Sequence, residues 1–174
     1  MSAMARARYL RRGDDARLGA ARTISSALGI DLSLGIWSRR ASEAWKRQWS
    51  AMDRRSAECW DWDLIHDRYH NEVDRLDLVM WVGERLCGLA LTTLSGEAAT
   101  VRFLEGSPRQ DCPLIGYRAL AALEATQNYA QLNGKREIRV QPVAPRLEEL
   151  YRDIFGFELA TPRGQDAYYR REIP

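Results

Sequence analysis

The chain has 174 residues, of which 45% are apolar, and a net charge of +2. This length and apolar content suit one well-buried domain with an extension. No apolar run approaches the ~18 residues of a membrane-spanning helix, so the sequence predicts no membrane span. Three cysteines, Cys59, Cys87 and Cys112, are widely spaced and form no CxxC pair. Because such spacing fits neither a disulfide framework nor a zinc ribbon, we expect a protein of the reducing cytoplasm.

The charge is distributed unevenly along the chain. Residues 1–57 contain 12 basic and 5 acidic residues, a charge of +7, whereas residues 58–174 carry a charge of −5. We therefore separate residues 1–36 as a basic N-terminal extension that could be flexible, and expect the main domain over residues 37–174. A solvated, partly helical arm is favoured, and binding to a nucleic acid or an anionic membrane surface is the alternative. The basic residues of the extension are Arg6, Arg8, Arg11, Arg12, Arg17 and Arg22.

Two helices are predicted next. Apolar residues at helical spacing predict the first over residues 38–58, and the second begins within residues 59–65, with Asp61 or Asp63 as its N-cap. The second contains His66 and His70 at i, i+4 spacing, similar to the HExxH of zinc peptidases but with Asp67 in place of the glutamate. An aspartate is shorter than that general base and no clear third ligand follows, so we predict a solvated polar face and no metal site.

A run of strands follows. Nearly continuous apolar residues predict a strand over residues 76–82, and turns lead into strands at 86–94 and from Thr100. A helix is predicted from Leu114 to Asn133, with Gly134 at its C-terminal cap. A strand over residues 137–143 completes a β-α-β unit, for which we expect parallel strands and a right-handed connection. A short helix and a final hairpin (158–160 with 167–170) end the chain.

The short helix after the β-α-β unit carries a family motif. Leu150-Tyr151 followed by Gly156-Phe157-Glu158 resembles the lYeklGFe signature of the GNAT acyltransferase superfamily, with one extra residue between Tyr and Gly. The resemblance covers residues 76–171. It implies an α/β (α+β) fold, in which a mixed, mostly antiparallel sheet with a central β-α-β unit is flanked by helices. The family's glycine-rich coenzyme turn falls on residues 111–116, where only Gly116 agrees.

The resemblance also implies a function, which is acyl-CoA-dependent N-acylation with acetyl-CoA as co-substrate and an amine as acceptor. Tyr151 matches the family's general acid, and Glu105 lies at the end of the Thr100 strand, where a base would be near the acceptor. Coenzyme contacts are expected from this strand, from the turn and from two arginines that could replace the missing glycines. These predicted coenzyme-binding residues are Phe103, Leu104, Arg109, Leu114, Ile115, Gly116 and Arg118.

The altered turn leaves a second interpretation open. The chain could be a GNAT-like binding module without catalytic activity that contacts an anionic partner through its basic extension. The groove between the Thr100 and Glu137 strands distinguishes the two, because a coenzyme requires it to be open. A nucleic-acid partner has weaker support, since no nucleic-acid-binding motif is recognised. The sequence also leaves open a homodimer and the nature of the acceptor.

Overall fold

The computed structural model describes residues 1–49, 60–141 and 145–174. The strands found there are β1 (Leu32–Gly35), β2 (Leu76–Val82), β3 (Arg85–Ser95), β4 (Ala98–Gly106), β5 (Glu137–Val140), β6 (Glu158–Ala160) and β7 (Tyr168–Glu172). The helices are α1 (Ala3–Leu28), α2 (Arg39–Trp49), α3 (Trp62–Tyr69), α4 (Arg118–Leu132) and α5 (Pro145–Glu149), which continues into a π-helical turn (Leu150–Ile154). None of these helices combines the length and apolar character needed to cross a membrane.

All described strands belong to one sheet in the order β1-β2-β3-β4-β5-β7-β6. Neighbouring strands are antiparallel except β4 and β5, which are parallel and are joined through α4. Apolar residues of β2 and β3 pack against α1 and α4 on one face, and against α2 and α3 on the other. The predicted mixed, mostly antiparallel sheet with a central β-α-β unit is confirmed.

The two ends of α4 follow from local chemistry. At its C-terminus Gly134 has φ +66°, Lys135 N–H donates to the Ala130 carbonyl (2.9 Å), and Gly134 N–H donates to the Gln131 carbonyl (3.1 Å), as in a Schellman motif. The predicted cap at Gly134 is therefore confirmed. The predicted start at Leu114 is wrong, because Gly116 has φ +84° and α-helical φ is negative. The helix can begin only after this residue, and it begins at Arg118.

The other predicted helices agree with the structure where it describes them. The first corresponds to α2, and its predicted continuation over residues 50–58 lies outside the described residues. Residues 142–143, the predicted end of the second strand of the β-α-β unit, also lie outside them. The second corresponds to α3, where Asp61 Oδ1 accepts a hydrogen bond from Leu64 N–H (3.1 Å). Asp61, one of the two predicted candidates, is thus the N-cap.

Helix α1 occupies most of the predicted N-terminal extension. Ala16, Ala20 and Ile24 belong to the main core cluster, and the small alanines let the backbones of α1 and α4 approach closely. The Arg12 guanidinium donates to Asn133 Oδ1 (2.9 Å). Arg17 is buried and donates to the Asp77 carbonyl (3.0 Å), so it does not belong to a solvated basic surface. Residues 3–28 therefore form a packed helix, while the domain boundary at residue 36 stays a prediction.

This packing predicts how α1 contributes to stability. Ile24→Ala should lower the free energy of unfolding by about 2–5 kcal/mol, because it leaves a cavity in a fully packed core. Leu18→Ala on the same helix is the matched control, since Leu18 is 52% exposed whereas Ile24 is 2% exposed. The control should change stability by no more than about 0.5 kcal/mol. Equal effects of the two changes in denaturant titrations would show that α1 does not contribute to the core in this way.

Candidate functional site

The parallel ladder at the centre of the sheet covers only the first part of β4. The ladder between β4 and β5 runs from the Ala98–Glu137 pair to the Val101–Val140 pair, and β4 then continues to Gly106. Strand β4 therefore extends beyond its parallel neighbour, and a cleft of about 30 Å³ lies between the two strands. The described residues that line this cleft are Trp60, Val101, Arg102, Phe103, Leu104, Val140, Gln141, Leu147 and Tyr151.

The cleft brings three of the predicted site residues together. Phe103 and Leu104 come from β4, and Tyr151 comes from the π-helical turn on the opposite side. Tyr151 is 3% exposed and packs edge-to-face on Phe157, with ring centroids 5.6 Å apart. Burial raises the pKa of the Tyr151 hydroxyl to about 12, so this hydroxyl keeps its proton at neutral pH.

Glu105 lies two residues beyond Phe103 on the same strand. Because side chains alternate along a strand, Phe103 and Glu105 project from the same face of the sheet, towards α3. Glu105 is 3% exposed, and its Oε1 accepts a hydrogen bond from the indole N–H of Trp62 at 2.9 Å. This bond fixes the orientation of a carboxyl group that burial separates from water. Glu105 is therefore buried although it lies near the end of its strand.

Aromatic side chains surround this part of β4. Trp60, Trp62 and Tyr69 contact the Phe103 ring with centroid distances of 5.3, 6.3 and 5.9 Å, all near edge-to-face. We call Trp60, Trp62, Tyr69 and Phe103 the aromatic wall. Sequence reasoning assigned no site role to the first three, although the Trp60-Asp61-Trp62 spacing is a signal that could have been used. The wall provides an apolar, polarisable surface beside the Glu105 carboxyl group.

The two histidines of α3 do not share an environment. His66 is buried, stacks on Trp37 with ring centroids 4.4 Å apart, and places Nδ1 3.7 Å from Asp77 Oδ1. His70 is exposed at the C-cap of α3. The predicted solvated polar face is therefore wrong for His66. Among residues 1–49, 60–141 and 145–174, no three metal-ligating side chains form a cluster.

Burial controls the ionisation of His66. It lowers the pKa of the imidazole from 6.5 to about 4, with Arg75 acting in the same direction and Asp77 and Asp63 opposing it. The Nδ1 atom has no hydrogen-bond partner in the described part of the chain. His66 is therefore neutral at physiological pH and is not poised to exchange protons there.

The turn between β4 and α4 spans residues 107–117, and ion pairs hold its outer side. The Arg85 guanidinium donates to the carbonyl and carboxylate oxygens of Asp111 at 2.7 and 3.0 Å, and Arg109 Nε donates to the same carboxylate at 3.1 Å. Arg85, Arg109 and Asp111 are exposed. Arg109 therefore lies on the surface of the turn, where a ligand could compete with Asp111 for its guanidinium group.

The inner side of the turn holds two other predicted coenzyme-binding residues. Leu114 is fully buried in the core cluster of α1 and α4, so its side chain does not face a ligand. Arg118 Nη1 donates to the Ser107 carbonyl (3.0 Å), and its guanidinium lies where a Cβ on Gly106 would be. Gly106 is thus required for the close approach of Arg118 to β4. Ile115 and Gly116 remain on the exposed side of the turn.

This topology, in which one parallel pair of strands lies within an otherwise antiparallel sheet and a helix connects the two, is the GNAT N-acetyltransferase fold. An acetyltransferase from Thermus thermophilus superposes with a TM-score of 0.56 at 20% identity, covering 81% of this chain and 96% of that chain. The ribosomal-protein-S18-alanine N-acetyltransferase from Escherichia coli gives a TM-score of 0.58 at 16% identity, with coverages of 82% and 94%. PaiA N-acetyltransferase from Thermoplasma acidophilum in complex with coenzyme A gives 0.50 at 16% identity, with coverages of 82% and 99%. At these identities the likeness establishes the fold.

Neither a known family model nor a curated protein sequence matches the chain. The likeness therefore lies in the three-dimensional structure.

The buried His66 predicts a pH dependence of stability. Between about pH 6.5 and 4 the unfolded state binds a proton that the folded state excludes, so the free energy of unfolding should fall as the pH is lowered through this window. The loss should reach about 3 kcal/mol, since each pH unit of difference corresponds to ~1.4 kcal/mol. His66→Gln should remove this component of the slope in denaturant titrations between pH 7.5 and 4.

The matched control is His70→Gln, because His70 lies on the same helix but is exposed. This variant should keep the slope of the unmodified protein. A slope that survives His66→Gln would show that another group causes the pH dependence.

Proposed function

We propose that the protein is an acyl-CoA-dependent N-acyltransferase that transfers an acetyl group from acetyl-CoA to an amine. The observation that carries the proposal is the extension of β4 past its ladder with β5, with Tyr151 at the cleft and Glu105 buried on β4 against Trp62. The GNAT fold and the coenzyme-bound neighbour support it.

The backbone of β4 beyond Val101 is the proposed contact for the coenzyme's pantetheine arm. Past this residue the strand has left its ladder with β5, so backbone groups of Arg102–Gly106 on that side can bind a ligand in the way they would bind a strand. An N–H group aimed at the thioester carbonyl would also stabilise the negative charge that develops on its oxygen. Acetyl-CoA supplies the acyl group in activated form, as a thioester.

Glu105 is the proposed general base. A carboxylate held by the Trp62 N–H and shielded by the aromatic wall can accept a proton from the attacking amine. The aromatic faces beside it favour an acceptor that arrives as an ammonium ion, because rings attract cations through their quadrupole.

Tyr151 is the proposed general acid. Its hydroxyl stays protonated well above neutral pH, so that it can donate to the thiolate that departs when the acyl group is transferred. At the turn we assign the phosphate contacts to Arg109, Ile115 and Gly116, whose exposed positions leave them accessible. Leu114 and Arg118 are assigned a supporting role, since both are directed into the protein.

A second function is favoured by the size of the cleft. A volume of about 30 Å³ among the described residues is room for about one water molecule, so a pantetheine arm requires the lining side chains to move. If they do not move, the protein is a GNAT-like binding module without catalytic activity. Direct binding of acetyl-CoA, measured by calorimetry, distinguishes the two functions. Saturation at 100 times Kd should stabilise the folded state by about 2.7 kcal/mol.

The proposed roles predict separate effects on binding and turnover. Tyr151→Phe and Glu105→Gln should each slow turnover by roughly 10²-fold or more and leave the Kd for acetyl-CoA nearly unchanged. Arg109→Ala should instead weaken acetyl-CoA binding about tenfold, through the loss of a charge-assisted hydrogen bond. Turnover is measured as release of free coenzyme A thiol with a panel of small amines, peptide N-termini, lysine peptides and nucleobases.

Arg136→Ala is the matched control for Arg109→Ala, because Arg136 is also exposed but precedes β5 at the opposite end of the sheet. It should leave the Kd unchanged. No binding of acetyl-CoA by the unmodified protein would refute the acyltransferase proposal and favour the binding module.

A further inference from the structure

Two cysteine thiols lie near one another beneath the turn. Cys87 on β3 is fully buried and Cys112 is 7% exposed, and both are free thiols in the same core cluster. Cys112 Sγ lies 3.9 Å from the carbonyl oxygen of Cys87 itself, and Cys87 Sγ lies 3.7 Å from the Arg85 carbonyl oxygen. The Cys112 thiol therefore rests against the residue that carries the second thiol, an arrangement from which a disulfide can form if the two sulfurs turn towards each other.

The backbones that carry the thiols are already held together on both sides. Ser107 N–H donates to the Cys87 carbonyl at 3.0 Å, and the Arg85 guanidinium donates to the Asp111 carbonyl at 2.7 Å. Cys87 and Cys112 are therefore flanked by two contacts between β3 and the turn. To form a disulfide the two sulfurs must approach to about 2.05 Å. The two backbone contacts hold β3 and the turn together while the side chains move.

The surroundings distinguish the two sulfurs chemically. The neighbouring Cys87 thiol, the backbone N–H of Leu114 and the Arg118 guanidinium lower the pKa of Cys112, while burial opposes them. The neighbouring Cys112 thiol and burial raise the pKa of Cys87. Cys112 is also the more exposed of the two, at 7% against 0%, so it is the sulfur that a small oxidant reaches and that attacks as a thiolate, and Cys87 is the thiol that resolves the intermediate.

We propose that Cys87 and Cys112 form a reversible disulfide when the protein meets a peroxide, and that this bond fixes the 107–117 turn on β3. The Cys112 thiolate attacks one peroxide oxygen, the O–O bond breaks, and hydroxide leaves, so that Cys112 becomes a sulfenic acid. The Cys87 sulfur then attacks the Cys112 sulfur, and the hydroxyl group leaves as water with the Cys87 proton. Two thiols are oxidised and one hydrogen peroxide is reduced to two waters.

The site lies in the turn to which the resemblance assigns the coenzyme's phosphates. Peroxide is small enough to reach a sulfur that is only slightly exposed, whereas a bulky disulfide oxidant would require the turn to open. In a reducing compartment such a bond is transient, and a dithiol restores the two thiols. The pairing is tested without acetyl-CoA, so its failure is separate from a failure of the proposed function.

The test counts and maps thiols in the full chain. The folded protein is treated with hydrogen peroxide, excess oxidant is removed with catalase, and thiols are alkylated in denaturant before peptide mass mapping. The three thiols of the reduced chain should fall to one, that of Cys59, with the Cys87 and Cys112 peptides joined and lighter by two hydrogen atoms. Dithiothreitol should restore all three thiols.

Single substitutions provide the controls. Cys59→Ser should fall from two thiols to none, whereas Cys112→Ala and Cys87→Ala should form no internal disulfide. The mapping of the unmodified protein decides the question even where a variant fails to fold. A bond that includes Cys59, a bond between two chains, or sulfinic acid at Cys112 with Cys87 unmodified would overturn the proposal, as would three thiols that survive peroxide treatment.

Discussion

The parallel pairing of β4 and β5 is the constraint on which the rest of the structure depends. A β-α-β connection places two parallel strands side by side, and here their ladder ends at Val101 and Val140 while β4 continues. The extra length of β4 carries Phe103 and Glu105 past the end of β5. A cleft lies beside this part of β4, and the π-helical turn contributes Tyr151 to its lining. A ladder that continued to the end of β4 would close the cleft with a strand.

The turn after β4 replaces a glycine-rich loop with a different kind of support. In a glycine-rich loop the bare backbone lets phosphate oxygens reach several N–H groups. Here Leu114 fills the core, Arg118 reaches back over Gly106 to the Ser107 carbonyl, and the Cys112 thiol lies against the Cys87 carbonyl of β3. Side chains of this turn therefore use their hydrogen bonds to hold its shape, and Arg109 on the surface is paired with a neighbouring acid.

Most of the architecture could be predicted because its signals are periodic and local. Alternation in β4 and the stripe on α4 define the β-α-β unit, and Gly134 marks its cap in the sequence as in the structure. The predicted start of α4 was wrong, because the sequence does not distinguish a glycine that adopts positive φ from a glycine inside a helix.

The candidate site was only partly predictable, since its environment is made by distant segments. The position of Glu105 follows from the resemblance, but its burial depends on Trp62, which lies 43 residues earlier. The packing of α1 depends on alanines, whose weak hydrophobic signal is obscured in sequence by the arginines between them. The His66 environment is likewise set by Trp37 and Asp77, outside its own helix.

The position of α1 has a consequence for how the chain is made. Arg12 and its partner Asn133 are 121 residues apart, so α1 leaves the ribosome well before α4, against which it packs. At about 5–20 residues per second, that interval is roughly 6 to 24 seconds. During it, α1 can pack against β1 and β2 but lacks α4, so part of its alanine face is not yet buried. Chain termination before α4 would thus release a product in which α1 has lost one of its packing partners and exposes apolar surface.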